Sequence, residues 1–209
     1  MSNNFIITIG REFGSGGLEI GKKVAEKLGV KCYDKELLKI AAKESGFCQE
    51  IFEHQDEKPT NSFLYSLVMD TYSISGYSSA PFLDMPLNHK VFLAQFETIK
   101  KIAERESCVI VGRCADYALS ESEHCINVFI HADKDFKVKR VCEELKLPEN
   151  KAKDAIQKND KQRASYYNYY TSKKWGDSRS YNLTLDSSQL GIDRCVDLIL
   201  SYKELLESK

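Results

Sequence analysis

Between residues 10 and 17 the chain reads Gly10-Arg11-Glu12-Phe13-Gly14-Ser15-Gly16-Gly17, four glycines in eight positions. What flanks this cluster narrows the fold more than any other feature. Before it, Phe5-Ile6-Ile7-Thr8-Ile9 is a β-branched apolar run of strand length. After it, Ile20, Val24, Ala25 and Leu28 share one helical face while Lys22, Lys23, Glu26 and Lys27 take the other, and Gly29 supplies a C-cap. The unit is strand, glycine loop, helix. In such a unit exposed amides and the positive end of the helix converge on whatever anion sits at the loop. Glycine suits it because successive N–H groups must turn inward at φ values that a Cβ disfavours. A merely tight turn is the alternative.

The rest of the chain alternates in the same manner. A brief strand is expected at Val30 to Tyr33, then a helix carrying Leu37, Leu38, Ala41 and Ala42 that ends at Ser45-Gly46. From Cys48 to about Ile102 the pattern is helical without strands. It takes in Ile51 and Phe52, then Phe63, Leu64, Leu67 and Val68, a loop from Ser73 to Pro86, and a long helix through Val91, Phe92, Phe96 and Ile99. Strands return at Cys108 to Val111, before a Gly112-Arg113 turn and a short helix, and at Ile126 to Ile130. Continuous apolar runs of this kind suit a parallel sheet covered on both faces. A polar, aromatic and basic stretch follows Pro148 as far as Trp175, then a last strand over Tyr181 to Leu185 and a closing helix with Ile192, Val196, Ile199 and Leu200. The expectation is a single three-layer α/β domain over residues 1–209 with about five parallel strands and a helical insertion near 46–105.

Charge narrows the partners. With 30 Lys+Arg against 31 Asp+Glu the formal net charge is -1, so no global field holds nucleic acid or an anionic membrane, and any anion must be gripped locally. The seven cysteines form no CxxC pair, and the four histidines show no metal-ligand spacing. They read as reduced packing thiols and no metal site, which with the lack of a leader or membrane-length apolar span points to the cytoplasm. Cys114, beside Arg113, is more readily a packed cysteine than a reactive one.

Against the nucleotide-binding pattern GxxxxGK[ST], aligning Gly14-Ser15-Gly16 puts Arg11 at the first glycine, Gly17 at the lysine and Leu18 at the Ser/Thr. A dinucleotide fingerprint is the rival, because Gly14 and Gly16 begin GxG and Asp34 lies twenty positions on, but its third glycine would be Glu19.

The run Ile7 to Gly17, followed by Ile20-Gly21 and Tyr33-Asp34-Lys35-Glu36, resembles the start of the cytidylate kinase-like proteins, a P-loop family. The resemblance continues at Ile110-Val111-Gly112-Arg113, at Val128 to Ala132, at Asp160 to Tyr167 and at Tyr181 to Ser188. It implies a nucleoside monophosphate kinase fold with a helical acceptor-binding lobe and a lid segment, near 158–177. It also implies ATP with Mg²⁺ at Arg11, Gly14, Ser15, Gly16, Gly17 and Leu18. Asp34 and Arg113 would meet the acceptor, and Lys158, Asp160, Lys161 and Arg163 belong to the lid. Cytidylate kinases follow the arginine of this turn with aspartate; here Cys114 stands there and the next acid is Asp116.

Phosphoryl transfer needs cations to align donor and acceptor and to balance charge on the transferring group. Arg11, Arg113 and Arg163 are the candidate catalytic cations, with Arg11 a bidentate substitute for the missing lysine. Glu12 orients Arg11 or a magnesium-bound water, or is a solvated loop acid. Asp34, just before a helix, is equally well an N-cap. Asp160 and Arg163, three apart on a helix, are expected to pair. Tyr166, Tyr167, Tyr169, Tyr170 and Trp175 interleave with the basic run, which could stack bases but more simply packs on the core. The expectation is phosphoryl transfer from ATP to a small acceptor, by default a nucleoside monophosphate. A non-catalytic nucleotide-binding regulator, an NAD-binding oxidoreductase and an RNA-binding module are the alternatives. The apolar face of the insertion is long for a small lobe and could serve a homodimer.

Overall fold

In a computed structural model of the chain, residues 4–46, 49–57 and 86–208 are described. The elements run β1 (Ile6–Arg11), α1 (Gly17–Leu28), β2 (Lys31–Tyr33), α2 (Lys35–Ser45), α3 (Gln49–Gln55), α4 (Leu87–Arg105), β3 (Cys108–Val111) and α5 (Ala115–Ala118). They continue with β4 (Cys125–His131), α6 (Lys134–Leu145), α7 (Glu149–Thr171), β5 (Leu183–Asp186) and α8 (Ser187–Glu207). The insertion's apolar groups at Phe63 to Val68 and its loop from Ser73 up to 85 lie outside the described residues. Helix α6 was not singled out by the sequence pattern; its buried positions are Lys137, Val138 and Val141. Gly191, at φ 74° and ψ 168°, breaks the first turn of α8 from the rest.

Five strands form one sheet in the order β2-β3-β1-β4-β5, every pair parallel. Strand alternation sorts the core into two faces. Ile7, Ile9, Val109, Val111, Val128 and Ile130 face α1 and α8, where Ile20, Val24, Val196 and Ile199 meet them. Ile6, Cys108 and Ile110 face the other way, onto Leu37 of α2, Ile99 and Ile102 of α4 and Ala115 of α5. Ile7, Ile9, Val109, Val111, Val128 and Ile130 have no exposed surface, so the β-branched runs are explained by burial on both sides.

β1 lies between β3 and β4; the connection from β1 runs to β2 on one side of the sheet and that from β4 runs to β5 on the other. This is the switch point at which α/β sheets open a crevice beyond the carboxyl ends of the strands. Arg11 is the last residue of β1, and Asp34 and Gly112-Arg113 follow the ends of β2 and β3. Among the described residues no helix is long and apolar enough to cross a membrane.

Candidate active site

The glycine loop carries the chain from β1 to α1. Gly14 and Gly16 sit at φ 82° and 80°, the left-handed region that glycine enters without strain. Close packing adds a second constraint. A Cβ on Gly14 would stand 2.9 Å from Val141 Cγ2 and 3.0 Å from the Lys137 carbonyl, and one on Gly17 would stand 2.4 Å from Arg11 Cβ. The first amide of α1 bonded back to the loop is Ile20, which donates to the Gly16 carbonyl. The amides of Gly17, Leu18 and Glu19 are therefore the orphan donors of a helix N-terminus. Leu18 offers only its backbone, because its side chain packs on the apolar core. Ser15 is fully buried; its hydroxyl donates to the Glu12 carbonyl at 2.9 Å, and Ser187 Oγ donates to the Ser15 carbonyl at 2.6 Å.

Two acids brace this loop. Glu12 Oε2 accepts from the Ala132 amide at 3.2 Å and from Lys137 Nζ at 2.9 Å. Asp160 Oδ1 accepts from the Phe13 amide at 2.6 Å, and its Oδ2 accepts from Lys137 at 3.2 Å. Burial pushes the Asp160 carboxyl up, against the Phe13 N–H and Lys137, which act in the other direction. Burial would lower Lys137, but hydrogen bonding to Glu12 and the charges of Asp160 and Glu12 outweigh it, and the ammonium is held. The expected Asp160–Arg163 pair is replaced by these contacts. Three residues along a helix leave side chains roughly 60° apart around the axis, enough for one to reach the loop and the other the cleft beside it. Glu12 orients Lys137 and the loop rather than Arg11.

The cations converge on the other side of β1. The Arg11 guanidinium reaches over Gly112 and donates from Nη1 to Glu57 Oε1 at 2.8 Å. Arg163 Nε donates to Glu57 Oε2 at 3.2 Å, and its Nη1 donates to the Arg11 carbonyl at 3.2 Å. The Arg113 amide also points at Glu57 Oε1, at 3.4 Å. Arg113 is 4% exposed and grips Asp56 with two bonds, Nε to Oδ1 at 3.0 Å and Nη2 to Oδ2 at 2.9 Å. Its Nη1 donates to Asp34 Oδ1 at 3.2 Å and to the Val111 carbonyl at 3.3 Å. Asp34 makes no side-chain cap bond to α2, so its partner is Arg113. Arg113 and Cys114 both lie at φ 55°, strained for residues with a Cβ and held there by this network.

Electrostatics follow from the packing. Burial pushes the Glu57 carboxyl up, but Arg11, Arg163 and Arg113 together pull it well below the usual carboxylate range. Asp56 ends higher than an ordinary aspartate, because burial exceeds the pull of Arg113. Asp116 is also raised by burial and accepts from the Tyr167 hydroxyl at 2.6 Å. Burial drives the Cys114 thiol far up, so it is a packing group and not a reactive one. The six described cysteines are free thiols, and no cluster of His, Cys, Asp and Glu among the described residues has the makings of a metal site.

Of the residues singled out from sequence, Arg11, Arg113 and Arg163 line one cleft, Asp34 joins them through its bond with Arg113, and Gly14 to Leu18 form the loop next to it. Lys158 and Lys161 do not join them; both lie on the exposed face of α7. Tyr166, Tyr167 and Tyr170 are buried against Phe92 and Cys114, so the second half of α7 packs into the domain. Asp56, Glu57 and Lys137 were missed. The adjacent acids at 56 and 57 carry no spacing signal, and Lys137 is one of four cations within seven residues of α6.

A parallel sheet of order β2-β3-β1-β4-β5, with a glycine loop between its first strand and first helix, defines a P-loop kinase-like α/β protein with a nucleotide-binding, phosphotransferase fold. The chain belongs to the cytidylate kinase-like family, whose pattern matches residues 6–189. It is similar to the crystal structure of an uncharacterized protein from Eubacterium ventriosum at 34% identity, covering 96% of this chain and 99% of that one, with a TM-score of 0.71. Its fold is also that of shikimate kinase from Bacteroides thetaiotaomicron, at 17% identity, TM-score 0.52 and coverage of 97% and 98%. Shikimate kinase from Acinetobacter baumannii, solved with shikimate, aligns at 13% identity, TM-score 0.51 and coverage of 100% and 96%. No curated protein matches the chain.

Proposed function

We propose that the protein transfers a phosphoryl group from ATP to a small acceptor, a nucleoside monophosphate by default. The observation that carries this reading is the convergence of Arg11, Arg113 and Arg163 beside the glycine loop. The loop amides of Gly14, Gly16, Gly17 and Leu18 hold the donor phosphates, with Ser15 tethering the loop. Arg11 and Arg163 balance charge on the transferring group, and Arg113, set by Asp56 and Asp34, faces the acceptor. Arg11 reaches away from the loop toward Gly112. It therefore serves the transferring group better than it copies a lysine at position 17.

The acids of the cleft favour a phosphate acceptor over an alcohol. Asp34 and Asp56 are committed to Arg113, and Asp116 to Tyr167. An alcohol needs a base to take its proton, whereas a phosphate monoester, with a second pKa near 6, is already a nucleophilic dianion at neutral pH. Mg²⁺ balances charge on the donor phosphates, and it commonly keeps several waters and relies on substrate oxygens. Leu18 stands where a hydroxyl ligand would be, so Mg²⁺ would be held chiefly by the oxygens of the nucleotide. A non-catalytic nucleotide-binding regulator is the second reading, favoured by Gly17 in place of lysine.

The test is ADP release from ATP and Mg²⁺ with a panel of monophosphates, alongside binding of ATP, NAD and RNA. Acceptor-dependent ADP release supports the kinase reading. ATP binding with no acceptor in the panel turned over would defeat it in favour of the regulator.

A further inference from the structure

We propose that Glu57 is a built-in occupant of an anion seat and that a phosphate group displaces it. The inference rests on the reading above only for the identity of the ligand. The seat itself is defined by its donors: Arg11 Nη1 at 2.8 Å, Arg163 Nε at 3.2 Å and the Arg113 amide at 3.4 Å. These come from β1, α7 and the β3–α5 turn, so three separate elements aim N–H groups at one carboxylate. Gly112 makes room for it. At φ 81° that residue presents no side chain, and a Cβ there would stand 2.0 Å from Arg11 Nη1 and 2.7 Å from Glu57 Oε1.

The charges show why this occupant is replaceable. Among the described residues Glu57 is the one ion-pair partner of both Arg11 and Arg163, whereas Arg113 has Asp56 and Asp34. One negative charge is therefore shared between two guanidinium groups. A phosphate monoester dianion carries two, and its tetrahedral oxygens serve three donors from different directions better than a flat carboxylate does. Glu57 is itself held at φ 51°, in the left-handed region unfavourable to a residue with a Cβ. Leaving the seat releases that strain.

An internal occupant lowers the apparent affinity for an external one by the fraction of molecules whose seat is filled. Glu57→Gln keeps the shape and removes the charge, so we expect inorganic phosphate, titrated calorimetrically at fixed ionic strength, to bind about tenfold tighter or better than to the wild type. The unliganded variant should melt at lower temperature than the wild type and recover more of it on adding phosphate, while equal ionic strength from chloride restores nothing. Glu57→Asp, one methylene shorter, should move in the same direction by a smaller factor and covers failure of the first variant to fold. Equal or weaker phosphate binding by the folded variants, with melting temperatures that respond to phosphate as the wild type does, would overturn the proposal and leave Glu57 a fixed brace. Because phosphate is titrated without ATP, this outcome is independent of whether any acceptor is turned over.

Discussion

Arg113 offers the sharpest quantitative test of the site's construction. In Arg113→Met the side-chain volume is roughly kept, but four donated bonds disappear: two to Asp56 and one each to Asp34 and the Val111 carbonyl. Removing one partner of a buried ion pair costs about 3–5 kcal/mol because the remaining charge is left uncompensated. The side chains of Asp34 and Asp56 are 20% and 24% exposed, so water softens the loss and the lower end, about 3 kcal/mol at pH 8, is expected. The pH dependence makes the prediction specific. Burial already raises Asp56 above 3.8 against the pull of Arg113, and without the guanidinium it rises further. Between the unfolded and the raised native pKa the native state holds more protons, so the stability of the variant falls as pH increases through that window. The gap from the wild type should therefore widen as pH rises above the ordinary aspartate range. Urea denaturation followed by circular dichroism at each pH measures it. A loss under about 1 kcal/mol, or one that does not change with pH, would refute the account of Arg113 as the counter-charge of Asp56 and Asp34.

Three further outcomes follow from other parts of the structure. Gly112→Ala forces a Cβ into the space of Arg11 and Glu57 at φ 81°, and should lose about 1–3 kcal/mol in urea denaturation; unchanged stability would mean the turn relaxes freely. Tyr167→Phe removes the donor 2.6 Å from half-buried Asp116 and should cost about 1–3 kcal/mol at neutral pH, with a wild-type melting curve counting against the assignment. His89 in α4 is fully buried, and burial lowers it to about 4 from 6.5, so it is neutral in the folded protein at pH 5 to 6. The unfolded chain then binds more protons between those values, and stability is lost as pH falls from 6.5 toward 4; His89→Phe should flatten that part of the pH profile, and an unaltered slope would refute it.

The backbone plan was legible because it depends on local chemistry. Runs such as Cys108 to Val111 are β-branched and buried on both faces, and they were recognisable without their neighbours. The glycine loop was legible for the same reason, though packing of Gly14 on α6 and Gly17 on Arg11 is as much its cause as anion approach. The site was half legible. Strand-end position located Arg11, Asp34 and Arg113, but whether Asp34 capped a helix or met an arginine depended on a residue 79 positions away. Glu57 and Asp56 were invisible, since their partners Arg113 and Arg163 lie 57 and 106 positions along the chain. Lys137 was hidden among other cations, because periodicity cannot say which of them turns toward a buried acid.

Charge balance connects these residues to function. A net charge of -1 requires any anion to be gripped locally, yet the arginines of the site are already countered: Arg11, Arg113 and Arg163 face Asp34, Asp56 and Glu57. Three neighbouring cations, one buried and two half-buried, would without these acids repel one another and burden the fold; with them they are stable but already occupied. Such a site gains affinity by exchange. The acids that must stay are those that orient Arg113, with two bonds from Asp56 and one from Asp34. The acid that can leave is Glu57, whose departure frees two guanidinium groups at once for an incoming phosphate.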